Sequence, residues 1–217
     1  MRLLLARHGP TFEKGQTPFY VGSRIDLPLT AEGCDRARAL ARALKASNAS
    51  PVIVACGPLK RTLRHAQIVC EALSLPEPLV DPRLTELDYG TWEGKTHAEV
   101  DAMNGGPAAR EAWDKKRRRP ADAGFSPDEA RAERDVSSLV AELSARAPGR
   151  ALALLVSSNG LLGTFLKSVP GAYERALLAE SLKIAPGHCG GIVLDGERRE
   201  VAFWNQKPET MNLRLLL

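Results

Sequence analysis

No two cysteines of this 217-residue chain stand in a C-x-x-C spacing; Cys34, Cys56, Cys70 and Cys189 are scattered. That argues against a cysteine metal cluster or a disulfide framework and suits a reducing, cytoplasmic setting. No segment approaches the roughly 18 consecutive apolar residues of a membrane span. The leucine run at the N-terminus is too short for a signal-peptide core, and Arg7-His8 interrupts it. Internal repeats, low-complexity tracts and linkers are all missing. Nor is there a distributed positive charge. The formal charge is +4, and the five consecutive cations Lys115 to Arg119 account for more than that, leaving −1 without them. A local basic run of this kind is not a nucleic-acid-binding surface.

What the chain does contain is an apolar content of 44%, enough for a real core in one domain of this length. Short apolar runs alternate with amphipathic ones. Leu3 to Ala6, Pro51 to Cys56 and Ala151 to Val156 read as buried strands, and Gly190 to Leu194 and Glu200 to Trp204 as two late ones joined at Asp195-Gly196. Thr30 caps a helix whose apolar face is Cys34, Ala37, Leu40, Ala41 and Leu44. A second helix follows Gly57-Pro58, with Leu59, Leu63, Ala66, Val69, Cys70 and Leu73 as its buried stripe. Lys95 to Trp113 reads as helix broken at Gly105-Gly106-Pro107. Ser126 is the expected N-cap of a helix carrying Val136, Leu139, Val140 and Leu143, and Leu161 to Val169 is a further helix. Strands alternating with helices predict a three-layer α/β/α sandwich with a largely parallel sheet. We expect one domain, 1–217, with an insertion at about 91–126 over one edge.

In such sheets ligands bind at the carboxyl ends of the strands. Arg7-His8 stands at one such end, Ser158-Asn159 at another, and Arg61 in the first turn of a helix, beside its positive end. Glu86 lies on an irregular stretch, Asp81 to Gly94, able to reach them. Arginine forks bind phosphate oxygens bidentately. A neutral imidazole is a competent nucleophile toward phosphorus, and a carboxylic acid can protonate a leaving oxygen. With the arginines neutralising the phosphoryl charge, neither a metal nor a cofactor is called for.

These residues recur in a known pattern. Arg7-His8-Gly9 with Thr11 matches R-H-G-x-T; Asp26, Pro28, Leu29, Thr30 and Gly33 match D-x-P-L-T-x-x-G; Pro58-Leu59-Lys60-Arg61 matches P-L-x-R. Leu84, Glu86, Gly90, Trp92, Glu93 and Gly94 match L-x-E-x-x-x-G-x-W-E-G. In these four motifs, spread over nearly the whole chain, the sequence resembles the histidine phosphatase superfamily and its phosphoglycerate-mutase-like fold. The resemblance implies a phosphohistidine mechanism, with His8 as nucleophile and Glu86 as acid then base. It implies Arg7, Arg61, Thr11, Lys14, Ser23, Ser158 and Asn159 as substrate-binding residues, and a small phosphorylated metabolite as substrate.

Two departures stand out. The family's V-S-H-G reads here Val156-Ser157-Ser158-Asn159-Gly160, so Ser158 occupies the place of a second histidine. The family's Asn after R-H-G-x-T-x-W is Lys14, a replacement cation. Among the remaining imidazoles, His188 is the candidate to compensate, whereas His65 and His97 read as ordinary helix residues. Tyr89-Gly90-Thr91-Trp92-Glu93-Gly94-Lys95 is nearer the phosphatase branches, including those acting on α-ribazole phosphate, than the mutases' Tyr-Gly-x-Leu-x-Gly-Leu-Asn-Lys. Hydrolysis is therefore favoured. A phosphoglycerate-type mutase, or a weakly active or inactive phosphate-ligand binder, are the alternatives. The basic run Lys115–Arg119 has two readings: a solvated helix end, or a positive mouth to the site. Trp92 reads as a core anchor. Oligomeric state is left undefined, and neither nucleic acid nor membrane is an expected partner.

Overall fold

The computed structural model describes residues 1–147 and 149–217. In chain order the elements are β1 (Arg2–Arg7), α1 (Ala31–Ala46), β2 (Ile53–Cys56), α2 (Lys60–Leu73), β3 (Leu79–Val80), α3 (His97–Asp101), α4 (Gly106–Lys116), α5 (Glu129–Arg146), β4 (Leu152–Ser157), α6 (Asn159–Leu162), α7 (Ala172–Leu178), β5 (Cys189–Asp195) and β6 (Arg198–Gln206). One six-stranded sheet runs β3-β2-β4-β1-β5-β6. The pairs β3–β2, β2–β4 and β4–β1 are parallel; β1–β5 and β5–β6 are antiparallel.

The strand β1 is an unbroken apolar run because both faces of the sheet are covered. Its side chains alternate between two cores. Leu3 and Leu5 meet Val136, Leu139, Leu143 and Phe165 on the face of α5. Leu4 and Ala6 meet Leu40, Leu44, Ala66 and Val69 on the face of α1 and α2. Leu3, Leu4 and Leu5 are fully buried, and each contributes about 1.5–3 kcal/mol by leaving water. Arg7 pairs with Ser157 in register, so the polar ends of β1 and β4 finish side by side.

The expected α/β sandwich is present, and the local readings hold in most places. Thr30 caps α1, its hydroxyl accepting from the Gly33 amide at 3.0 Å. The Gly105-Gly106-Pro107 break separates α3 from α4, with Gly105 at φ 67°. Elsewhere the structure differs. Asp128, not Ser126, caps α5, its carboxylate accepting from the Arg131 amide at 2.7 Å; Ser126 instead bridges Asp88 by backbone hydrogen bonds. The expected helix Leu161–Val169 begins earlier, as the short α6, and continues as a 3₁₀ turn over Gly163–Ser168. The two-residue β3 and the single-sided α7 carry too little periodicity to be foreseen.

A third apolar cluster stands apart from the two sheet cores. Tyr20, Leu87, Tyr89, Trp92, Val100, Trp113 and Ala123 form it, with Phe125 against it. Most of it comes from 91–126, and Trp92 is an anchor there at 2% exposure.

Candidate active site

A cavity of about 410 Å³ opens where β1 ends, and Arg7, His8, Thr11, Arg61, Glu86 and Asn159 all line it. The sheet assembles this floor. The His8 amide donates to the Ser157 carbonyl at 3.1 Å and the Arg7 amide to the His188 carbonyl at 3.0 Å, locking the strand end between its neighbours. Gly9 follows because backbone approaches there: a Cβ would lie 2.5 Å from the Gly33 carbonyl oxygen.

His8 is buried, at 7% exposure. Its Nδ1–H donates to the Gly9 carbonyl at 2.7 Å, so in the neutral ring Nε2 carries the lone pair. Burial, and then the charges of Arg7 and Arg61, hold its pKa well below the ordinary value. The ring is thus a neutral base at physiological pH. His65, which in sequence reads as an ordinary helix residue, sits beneath it. The Gly9 amide donates to His65 Nδ1 at 3.3 Å, and burial lowers the His65 pKa to about 4. His65 thus supports the turn that carries His8.

Arg61 is 1% exposed. Its Nη1 donates to the Ile25 carbonyl at 2.9 Å and its Nη2 to the Gly22 carbonyl at 3.0 Å, tying the long loop after β1 to α2. Asp26 holds the same junction, its carboxylate accepting from the Lys60 amide at 2.7 Å. Arg7 Nη1 donates to the Ile184 carbonyl at 2.7 Å, while its buried Nε has no partner. Burial lowers the pKa of both arginines and the Glu86 carboxylate partly restores them. Glu86 is 6% exposed and accepts from the Leu87 amide at 2.9 Å and the Gly160 amide at 3.2 Å. Gly160 has no room for a side chain, since a Cβ would fall 2.2 Å from Glu86 Oε1. Tyr89 lies beside that carboxylate, its pKa pushed up by burial and then by Glu86.

Three expected binding residues are not brought to this cavity. Lys14 is exposed in the loop after β1 and outside the lining, because the turn around Gly15 (φ 93°) carries it outward. Ser23 lines a separate hollow with Arg83, Asp88 and Ser126, its amide donating to the Leu87 carbonyl at 3.0 Å. Ser158 is fully buried and its hydroxyl has no partner. It precedes α6, and it is Asn159 that reaches the lining, its Oδ1 accepting from the Ile184 amide at 3.1 Å. The His188 ring is turned to Asn205, at 3.0 Å, and is outside the lining.

Other lining residues had little or no signal in sequence. Tyr20, Tyr89, His97 and Trp113 belong to the aromatic wall. Asp114 and Lys183 are bridged at 2.8 Å across the mouth. Of the basic run, Arg117 enters the cavity, stacked over the Trp113 ring at 4.8 Å. A tryptophan two residues before the cation cluster, and four before Arg117, was the available clue. Lys115 pairs with Glu111, and Lys116 and Arg118 face solvent. Among the described residues no group of three or more His, Cys, Asp or Glu is gathered to hold a metal ion. No helix among them is long and apolar enough to cross a membrane.

Comparison with known proteins places this geometry among relatives. Residues 3–207 match the histidine phosphatase superfamily (branch 1). A glucosyl-3-phosphoglycerate phosphatase from Mycobacterium tuberculosis is 35% identical over 153 residues, 68% of this chain and 62% of that protein, so the match spans less than two thirds of the relative's length. The structure of a mycobacterial glucosyl-3-phosphoglycerate phosphatase with inorganic phosphate superposes with a TM-score of 0.77 at 26% identity, covering 97% of this chain and 99% of the other. The α-ribazole phosphatase of Shigella flexneri shares the fold, with a TM-score of 0.71 at 23% identity over 95% and 97% of the two chains.

Proposed function

The chain belongs to the histidine phosphatase superfamily, and on that premise we propose that it hydrolyses small phosphorylated metabolites through a phosphohistidine at His8. The observation that carries this reading is the tautomer and charge of His8: Nδ1–H is tied to Gly9 and the ring is neutral, leaving Nε2 as the nucleophile. Nε2 attacks phosphorus, a P–N bond forms and the P–O ester bond breaks. Glu86, protonated at that moment, gives its proton to the departing alkoxide oxygen. Water then attacks the phosphohistidine with Glu86 as base, releasing inorganic phosphate and free His8. Arg7 and Arg61 neutralise the phosphoryl oxygens, each charge-assisted bond contributing about 1.5–3 kcal/mol.

The leaving group would sit against Phe12, Phe19, Tyr20 and Trp113, which also line the cavity. Such a wall suits a sugar-bearing ester, whose C–H faces pack on aromatic rings. The relative named above makes glucosyl-3-phosphoglycerate the first substrate to assay, and α-ribazole phosphate the second.

A weakly active or inactive phosphate binder is the second reading, favoured by one observation: the Ser158 hydroxyl is buried and gives nothing to the cavity. Hydrolysis of p-nitrophenyl phosphate in excess EDTA separates the two. We expect turnover by the wild type, an acid-labile phosphoenzyme, and loss of both in His8→Ala. Turnover by His8→Ala near the wild-type rate would remove His8 as nucleophile. A product assay with 3-phosphoglycerate tests for mutase activity in the same preparation.

A further inference from the structure

A phosphoryl group in transfer spreads negative charge over three equatorial oxygens, and catalysis lies mostly in meeting that charge with fixed donors. The two motif arginines have donors already committed elsewhere. Arg61 holds the Gly22 and Ile25 carbonyls through both of its terminal nitrogens, and Arg7 holds Ile184 through one. Ser158 has its hydroxyl buried outside the lining. The carbonyl bonds leave both arginines charged but occupy several of their N–H donors, so few fixed donors remain for a third phosphoryl oxygen.

Arg117 is placed to make up the deficit. It is the residue just past the end of α4, in a left-handed backbone conformation at φ 51°, ψ 20°. For a residue with a Cβ that conformation stores strain. The chain is held there by the Arg117 amide donating to the Trp113 carbonyl at 3.0 Å, and the guanidinium lies over the Trp113 ring. Its Nη2 is buried without a partner, and it shares the cavity with Arg7, His8, Arg61 and Glu86. No carboxylate is paired with Arg117 among the described residues, unlike Lys183, which holds Asp114.

We propose that Arg117 is a third phosphoryl-binding residue, its free Nη2 donating to the transferring group that Arg7 and Arg61 also hold. The assignment rests on the phosphoester reading of the site and adds a cation that the family's four motifs do not contain. Electrostatics agree with it. The Arg7 pKa is lowered by burial first, and among neighbouring cations the charge of Arg117 depresses it ahead of that of Arg61. Three guanidiniums facing one cavity repel one another, and a phosphoryl dianion relieves that repulsion.

The test compares Arg117→Gln and Arg117→Lys with Arg118→Gln, an exposed neighbour from the same basic run. The readouts are kcat and KM on p-nitrophenyl phosphate, whose leaving group carries no second anion, and inhibition by orthovanadate. We expect Arg117→Gln to lower kcat by about 10²-fold, as for a lost oxyanion donor, and to weaken orthovanadate inhibition by about tenfold or more. Arg117→Lys should recover part of both, because a point charge replaces a fork. Arg118→Gln should match wild type. The proposal is overturned if Arg117→Gln leaves both readouts within about twofold of wild type; a raised KM for 3-phosphoglycerate alone would then show that Arg117 reads the leaving group. It is overturned equally if Arg118→Gln loses as much, which would mean bulk charge. If the wild type hydrolyses no ester, calorimetric binding of inorganic phosphate decides instead. Weakened binding in Arg117→Gln upholds the third cation although the hydrolase reading has failed, and unchanged binding overturns it.

Discussion

The floor of the cavity and its aromatic wall are built by different forces. The floor, Arg7, His8, Arg61 and Glu86, is pinned by hydrogen bonds to backbone: His8 to Gly9, Arg61 to Gly22 and Ile25, Glu86 to Leu87 and Gly160. The wall is held by ring edges, such as Trp113 against Phe125 at 5.1 Å and Phe12 against Phe19 at 4.9 Å between centroids. Backbone hydrogen bonds fix an atom's position to a fraction of an ångström, which in-line chemistry requires. Aromatic packing tolerates adjustment at about 0.5–1.5 kcal/mol per pair. On the proposed function, the positionally demanding steps fall to the floor and the adaptable fit to a leaving group falls to the wall.

That division can be tested by perturbing each part in turn. The largest effect is expected at the floor. Glu86→Gln should lower kcat for poor leaving groups by about 10²–10⁴-fold, with a smaller loss for nitrophenolate, as general acid catalysis demands. Equal losses on both esters would take the acid role from Glu86. Gly160→Ala should act in the same direction through the carboxylate it crowds.

Next comes the support beneath the floor. His65 is neutral in the folded protein, with a pKa of about 4 against 6.5 for an ordinary histidine. The unfolded chain therefore takes up its proton first. Stability is complete above about pH 6.5 and falls as pH drops toward 4, by roughly 3 kcal/mol at about 1.36 kcal/mol per unit. His8, shifted in the same direction by burial and by Arg7 and Arg61, adds to the loss. His65→Gln, which keeps an acceptor for Gly9 without the titration, should flatten the urea midpoint between pH 7 and pH 4.5. An unchanged acid slope would mean that other groups carry it.

The wall should answer more weakly and in a different constant. Phe12→Ala should raise KM for a sugar-bearing phosphate about two- to tenfold, the value of one aromatic contact, and leave kcat on p-nitrophenyl phosphate alone. A kcat loss there would erase the distinction between floor and wall. The smallest effect is expected at Ser158. Removing a buried hydroxyl that has no partner is close to neutral. Ser158→Ala should leave kcat unchanged and Tm level or slightly higher. A large kcat loss would place that hydroxyl on the phosphoryl group after all.

Read from residues alone, the floor was almost entirely legible and the wall scarcely at all. Arg7, His8, Arg61, Glu86 and Asn159 were each marked by an apolar run ending at a polar residue, by a helix start or by a motif, and all five line the cavity. Lys14 and Ser23 came from the same reasoning and lie elsewhere, because a loop of that length has no period to say which way a side chain turns. His65 looked like one more helix residue; only the approach of Gly9 to α2 makes it a hydrogen-bond acceptor. Ser126 seemed the better cap by its spacing to Glu129, yet it pairs with Asp88, and Asp128 takes the cap.

The sequence by itself determined the main apolar strands and the gathering of an imidazole, a carboxylate and two arginines at one edge of the sheet. It could do so because parallel strands must finish together, so residues at their ends meet whatever the loops do. Tertiary structure alone decided which of five adjacent cations enters the cavity and that Ser158 does not. Those outcomes depend on a left-handed turn at Arg117, on a tryptophan ring beneath it and on the burial of the residue before α6. The burial of Ser158 is a non-local packing arrangement that no spacing encodes; the stacking of Arg117 on Trp113 is local, and only its placement against the cavity depends on the rest of the fold.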